Sequence, residues 1–399
     1  NPNWGYQQGE KRNARVRDNH EPLVMLNYTF NISDRTKFDL ATSFRFGRNG
    51  YSALTWQDGA DPRPDYYRYL PSYFVRDNNL EGAAWQYERW RANYENVRHL
   101  QWDKFYETNY TRENPVDSEI YGPGARSNYM IEERHTDQRD WNLVMTFHHL
   151  FKNGSKLNAG LNLRRNRTEY YSEVKDLLGG DYWVDEDKFA ERDFASPTAK
   201  QNDLEYYNQY GHARAAKEGD KYSYDYYAHV LKGGAWASYQ WQTGGFSMVL
   251  GGEIGATKLW REGLWQKGLF ADNSKGDSEK LDFLNYKGKL NLAYRFSAAH
   301  SVEVNALYMQ QAPDFKNAFV SPRTRNSVTP NLEEEKVLGV DASYNLRYGD
   351  LKARISGYYT VIKDQTKLMS YYDDVNSSFT NFAMSGIDKL HFGLEAAVQ

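Results

Sequence analysis

Flat aromatic rings set beside polar neighbours are the side chains of this sequence best suited to handling a ligand. They come in clusters: Tyr66, Tyr67, Tyr69 and Tyr73; Trp85, Tyr87 and Trp90; Tyr222, Tyr224, Tyr226 and Tyr227; and Tyr371 with Tyr372. Such rings stack on sugars, iron chelates or peptides, while adjacent polar groups fix the orientation. From these clusters Tyr66, Tyr67, Trp85, Trp90, Tyr224, Tyr226, Tyr371 and Tyr372 are the candidate ligand contacts, all expected on loops. The bland alternative is that the rings pack loops together or form the aromatic girdles that flank a membrane.

The charged clusters are weaker candidates. Arg164, Arg165 and Arg167 run toward one end of a strand, where guanidinium groups could attract an anionic ligand or the phosphates of lipopolysaccharide. Solvation in a wet channel or pairing with carboxylates is the stronger reading of them. Asp181, Asp185, Glu186 and Asp187, and again Asp373, Asp374 and Asn376, gather oxygen ligands of the kind calcium takes, but without EF-hand spacing they read as solvated acidic loops. His148 and His149 are adjacent, so on a strand they point to opposite faces and cannot chelate one ion together. The chain has no cysteine, no HExxH pair, no G-x-S-x-G elbow and no phosphate-binding glycine loop. No enzyme, metal or cofactor is therefore expected. A formal net charge of −3 argues against a nucleic-acid partner, whose phosphates demand many cations.

The elements that must position these residues follow from composition and periodicity. Of 399 residues 16% are aromatic and 26% charged, with a mean hydropathy of −0.86. A disordered chain this polar would lack the aromatics, and a soluble core this aromatic would be less polar. A membrane β-barrel reconciles the two, because its strands show apolar residues to lipid and polar residues to a wet lumen. No apolar run approaches the roughly 18–20 residues of a membrane helix.

Period-two alternation recurs in pairs. Val24, Leu26, Tyr28 and Phe30 share one face of a strand, and after a turn at Ser33, Asp34 and Arg35 the return strand sets Phe38, Leu40, Phe44 and Phe46 against Lys37, Asp39, Ser43 and Arg45. The device repeats across Asn153-Gly154, expected to be a type I′ turn, and across Gly244-Gly245, Ser297 to His300, and Gly349-Asp350. Gly251, Gly252 and Gly255 fall inside a strand, where glycine relieves crowding or bends the wall. Between the hairpins lie longer polar segments, roughly 47–140, 168–228, 260–284, 310–335 and 363–389. Short and long connections alternate strictly, which gathers every tight turn at one rim. That is the pattern of an all-β, antiparallel transmembrane barrel of the bacterial outer membrane, with short periplasmic turns and long extracellular loops. About eleven strands are expected, each of about 9–11 residues.

Several segments carry a family resemblance. Asn1 to Gln7 followed by Lys11-Arg12-Asn13-Ala14-Arg15-Val16-Arg17 resembles a loop and strand entry of TonB-dependent outer-membrane receptors of the Bacteroidetes type. Thr329-Pro330-Asn331-Leu332-Glu333-Glu334-Glu335, then Gly339-Val340-Asp341 and Tyr344, resembles the proline, leucine and glutamate motif in the later part of such barrels. Ala353 to Thr360 and Gly386 to Glu395 resemble the strands that follow it. The resemblance implies that residues 1–399 are part of one barrel of roughly 22 strands, with the plug domain and terminal aromatic strand lying outside this sequence. It further implies import of a scarce nutrient (siderophore, glycan or peptide), with TonB and its energising inner-membrane complex as partners. A surface lipoprotein or other outer-membrane subunits over the loops, and lipid and lipopolysaccharide around the wall, complete the expected partners. The competing expectation is a passive porin or a structural, adhesive barrel within a larger envelope complex.

Overall fold

The computed structural model describes residues 2–110, 115–373 and 378–399. Long strands run antiparallel, each bonded to the next in chain order: β1 (Leu23–Ser33), β2 (Thr36–Trp56), β3 (Tyr129–Leu150), β4 (Lys156–Asp176), β5 (Lys221–Thr243), β6 (Phe246–Gly263), β7 (Leu281–Arg295), β8 (His300–Gln311), β9 (Glu335–Tyr348), β10 (Leu351–Asp373) and β11 (Ser378–Val398). The number and the meander order agree with the sequence expectation. Among the described residues β1 pairs only with β2, and β11 only with β10. Where β1 ends, the short strand Arg17–His20 continues beside the upper part of β2.

Register turns the alternation into a two-sided wall. Leu40, Met145, Leu161, Ala235 and Ile254 lie side by side across β2 to β6. Leu250, Leu290, Ala306, Val340 and Tyr359 do so across β6 to β10. This face encloses no core, since Leu161 is 50% and Ile254 61% exposed. Acyl chains are the solvent that makes such a surface stable. The opposite face is a polar network: Asp39 meets Lys37 at 2.8 Å and His148 at 3.1 Å, Asp140 takes Arg164 at 2.8 Å, and Asn291 and Asn305 link Glu303 to Asp341 at 2.7 and 2.9 Å. His148 and His149 do point apart, one to Asn158 on this wet face and the other stacked along Phe147.

Gly255 shows how tightly the wall is drawn. A Cβ there would stand 2.4 Å from the Gly233 carbonyl oxygen and 2.9 Å from the Gly234 Cα, so crowding relief is the role of this residue. The Asn153-Gly154 turn differs from the expected type I′. β3 stops at Leu150 and β4 starts at Lys156, which leaves a longer loop in which only Gly154 has positive φ (82°). Asn153 instead accepts the Ser155 N–H (3.1 Å) and hydroxyl (2.7 Å) through Oδ1, and that local bond removes the need for a second left-handed residue.

Two expectations about length are corrected. β2, β3, β5 and β10 contain 21, 22, 23 and 23 residues rather than about 9–11. The excess lies at the outer end, beyond the lipid, where hydrogen bonding extends the ladder but nothing imposes an apolar face. The polar segment expected at 363–389 is consequently not a loop: β10 reaches Asp373 and β11 begins at Ser378. The closed cores also sit at this end. Trp102, Phe105, Tyr129, Ile131 and Leu178 form one, and Met130, Val174, Trp183 and Tyr222 another, so the long connections fold into a cap above the wall. No helix of the described residues is long and apolar enough to cross a membrane.

Candidate ligand-binding vestibule

The cap segment 57–128 includes α1 (Pro71–Arg76), α2 (Leu80–Ala92) and α3 (Trp102–Tyr110), followed by the helix Pro115–Tyr121. Local chemistry sets α2. Asn79 caps it by accepting the Gly82 N–H at 2.8 Å, Glu81 stands in its first turn, Arg89 and Arg91 in its last, and Asn93 ends it in the left-handed conformation (φ 50°). α3 is bolted to the wall. Its Asn109, fully buried, donates to the carbonyls of Tyr129 (2.9 Å), Leu177 (2.9 Å) and Leu178 (3.0 Å) and accepts from the N–H groups of Asn128 (2.8 Å) and Tyr129 (3.2 Å). Trp102 donates to the Arg12 carbonyl at 3.2 Å and carries the Arg12 guanidinium 4.4 Å above its ring.

Two adjoining cavities open in this cap. The inner one, about 530 Å³, is lined by Phe74, Trp85, Arg89, Trp90 and Lys104, and the outer one, about 1030 Å³, by Trp56, Tyr66, Tyr67, Lys188 and Tyr372. Asp61, Arg63 and Arg68 border both. Volumes of this order suit a small-molecule ligand. The rings form a connected chain: Tyr69 meets Tyr66 edge-on at 5.3 Å, Tyr66 meets Tyr67 at 4.9 Å, and Tyr67 meets Tyr73 at 5.7 Å. Cations lie against them, with Arg63 5.5 Å from the Trp56 ring, Lys188 5.1 Å from the same ring and Arg89 5.0 Å from Trp85. Arg68 donates to the Tyr67 hydroxyl at 3.0 Å and holds that phenol below its ordinary pKa, whereas burial holds Tyr66 above it. Burial likewise pushes the Lys188 ammonium down.

Of the eight candidate contacts, Tyr66, Tyr67 and Tyr372 line the outer cavity and Trp85 and Trp90 the inner one. Tyr224 and Tyr226 are corrected. Both lie within β5, not on a loop, at 6% and 5% exposure, with Tyr226 stacked on Tyr170 at 5.1 Å and Arg323 4.7 Å from the Tyr224 ring. They pack against Tyr170 of β4, Arg261 of β6 and Arg323, and line neither cavity. Tyr371 and Tyr372 are also strand residues, at the top of β10, and their successive positions send only Tyr372 into the cavity. Sequence alone missed Trp56, Arg63, Arg68 and Arg89. The one available signal was the alternation of Arg with Tyr and Trp across 63–91.

The charged clusters separate. Arg164 pairs with Asp140 on the wet face, while Arg165 and Arg167 stand on the apolar face above its hydrophobic band, Arg167 at 4.5 Å from the Tyr227 ring. The four carboxylates of 181–187 diverge: Asp181 accepts the Ala125 N–H at 2.7 Å, Asp185 pairs with Arg214 at 3.0 Å, Glu186 with Lys200 at 2.9 Å, and Asp187 caps the helix Lys188–Asp193. Asp373 ends β10, and Asp374 and Asn376 lie outside the described residues.

No protein-family model and no curated protein matches the chain. Its likeness is to solved structures. It is similar to the copper transporter OprC (12% identity, TM-score 0.55, covering 95% of this chain and 43% of that one). It is similar to a chain of the FpvAI–pyocin S2 complex (11%, 0.51, 97% and 40%) and to the pyoverdine outer membrane receptor FpvA from Pseudomonas aeruginosa PAO1 bound to pyoverdine (11%, 0.50, 97% and 43%). The chain thus spans less than half the length of these three structures. The likeness shows the fold: the eleven strands are the wall of a bacterial outer-membrane β-barrel.

Proposed function

We propose that this chain is part of a TonB-dependent importer of the bacterial outer membrane, and that its cap captures a scarce nutrient before the barrel passes it inward. In this proposal residues 1–399 belong to a single barrel domain of roughly 22 strands whose plug lies elsewhere in the protein. TonB and its energising inner-membrane complex are the partners, and the Bacteroidetes-type motifs at Asn1–Arg17 and Thr329–Tyr344 support that assignment. The observation that carries it is the vestibule: one rim holding Tyr66, Tyr67, Trp85, Trp90 and Tyr372 around the shared residues Asp61, Arg63 and Arg68. Flat rings with interleaved guanidinium groups bind planar, hydrogen-bonding solutes. In the inner cavity Arg63, Arg68, Arg89 and Lys104 outnumber Asp61 and Glu95, which favours an anionic ligand such as a siderophore chelate or an acidic glycan over a neutral peptide.

A strain lacking the gene, grown on single iron sources, glycans or peptides, tests this. Growth should fail on one nutrient, return with the wild-type gene and stay at least tenfold impaired at limiting concentration with the double variant Arg68→Ala, Trp85→Ala. Equal growth of the deletion strain on every nutrient would refute import. One observation favours a second, compatible role for the cap surface. Leu80, Tyr87, Tyr94 and Tyr110 are 67%, 56%, 64% and 67% exposed, apolar and aromatic side chains of the cap that a surface lipoprotein or another outer-membrane subunit would cover.

A further inference from the structure

The outer end of the wall carries a cluster that ligand capture leaves unused. Glu133 and Glu173 face each other directly across β3 and β4, and His135 and Asp137 follow Glu133 on the same face at two-residue steps. This face continues the apolar band of Trp141, Leu143 and Met145 beyond its outer edge and carries Ile131 and Tyr129 next, so the cluster stands between that band and the cap core, and none of its residues lines either vestibule cavity. One ligand atom from each of Glu133, His135 and Glu173 lies within 4.8 Å of the others. Glu133 and His135 are each 1% exposed.

His135 is the telling residue. Its ring is stacked on Tyr171 at 4.4 Å and 4°, yet neither ring nitrogen has a hydrogen-bond partner. Nε2 stands 3.4 Å from Glu133 Oε2 and Nδ1 stands 3.5 Å from Asp137 Oδ1. Charge-assisted hydrogen bonds are shorter, about 2.7–2.9 Å. The Nε2 to Oε2 separation instead matches the edge of a tetrahedral zinc site, about 3.3–3.5 Å for bonds of about 2.0–2.2 Å. Space has been left for the ring, because a Cβ on the opposing Gly50 would come within 3.2 Å of His135 Cε1 and 3.1 Å of Glu133 Cδ. Asp137 is itself fixed, by the Asn49 N–H at 3.0 Å and the Tyr171 hydroxyl at 3.0 Å, as a carboxylate that orients a metal-bound histidine must be.

We propose that Glu133, His135 Nε2 and Glu173 bind a divalent transition cation of the zinc class, with Asp137 holding the ring from Nδ1. The ion staples β3 to β4 at the outer rim. It is a resident ion and not cargo, since none of its ligands lines either vestibule cavity. Arg48 and Lys175 now bond Glu133, at 2.7 Å in the case of Arg48, but their side chains are 48% and 36% exposed and can turn into solvent as the ion takes their carboxylate.

The test titrates the full chain in detergent, stripped with a chelator, with Zn²⁺ against a chromogenic competitor, heat-modifiable gel mobility confirming a folded barrel for every variant. The wild type should take up one equivalent. His135→Ala and the shape-conserving Glu173→Gln should each lose at least tenfold in affinity, Asp137→Asn should lose roughly 10–100-fold, and His148→Ala should bind as the wild type does. Co²⁺ in the wild type should give the intense visible bands of a tetrahedral site. A wild type that takes up no zinc would overturn the proposal. Uptake that survives both His135→Ala and Glu173→Gln unchanged would overturn it equally.

Discussion

Asn109 offers the sharpest perturbation of the cap. Its amide supplies two N–H hydrogens to three carbonyls and one oxygen to two N–H groups, joining α3 to the start of β3 and to the turn at 177–178. Replacement by alanine takes the side-chain partner from five backbone groups in a site of 0% exposure, of which the Leu177 carbonyl keeps the Ser127 hydroxyl (2.8 Å) and the Gly180 N–H (3.2 Å). Each buried polar group without a partner costs about 1–3 kcal/mol, and a single water in the vacated space can recover part of the set. A loss of about 3–5 kcal/mol in the local stability of the cap follows, or a rise of roughly 100-fold or more in its opening. Asn109→Asp should be at least as harmful, because it keeps the two acceptor bonds but sets a carboxylate oxygen against three carbonyls. The assay is hydrogen exchange of segments 57–128 and 177–183 in the detergent-solubilised protein, with the β8 and β9 amides as an internal reference. Exchange in α3 unchanged by Asn109→Ala, or rescued by Asn109→Asp, would refute the claim that this one amide bolts the cap to the wall.

Other perturbations act on separate parts of the molecule. Gly255→Val should prevent strand closure between β5 and β6 and abolish the heat-modifiable form on gels, whereas Gly288→Ala, which meets nothing within 4 Å, should leave it intact. Lys267, wholly buried beside Asn202 and Trp265, has its pKa pushed down by burial to about 8 from 10.5. The folded group therefore sheds its proton before the unfolded one, and the penalty of burying the ammonium, up to about 3 kcal/mol, is present below pH 8 and relieved as pH rises from about 8 to 10.5. Exchange rates of the 264–280 segment, corrected for intrinsic rates, should fall across that window in the wild type and lose this extra slope in Lys267→Met. Quenching of vestibule tryptophan fluorescence by the transported nutrient should weaken about tenfold in Trp90→Phe with Tyr67→Ala, and should be indifferent to Tyr226→Phe, whose ring stacks on Tyr170 and lines neither cavity.

The wall was legible in the chain and the cap was not. Alternation such as Leu40, Phe44 and Phe46 against Asp39, Ser43 and Arg45 is a local property, because lipid on one side and water on the other impose period two on each strand independently. Tight turns are local too, so the hairpins and their common rim could be read directly. Misjudged strand lengths have the same origin. Past the membrane edge, β2 and β5 lose the apolar alternation while keeping their hydrogen-bond ladders, so Tyr224 and Tyr226 resembled loop residues.

By itself the sequence determined a two-sided antiparallel sheet of eleven strands, because the solvent on each face is encoded residue by residue. Only the tertiary structure decided which side chains meet at the outer rim. Tyr67 and Tyr372 share a cavity across hundreds of residues, and Glu133 meets Glu173 through strand register. Those encounters depend on how the long connections fold back over the wall and on which residue pairs with which. Buried amides such as Asn109 and close backbone approaches such as that at Gly255 set both, and neither leaves a periodic trace along the chain.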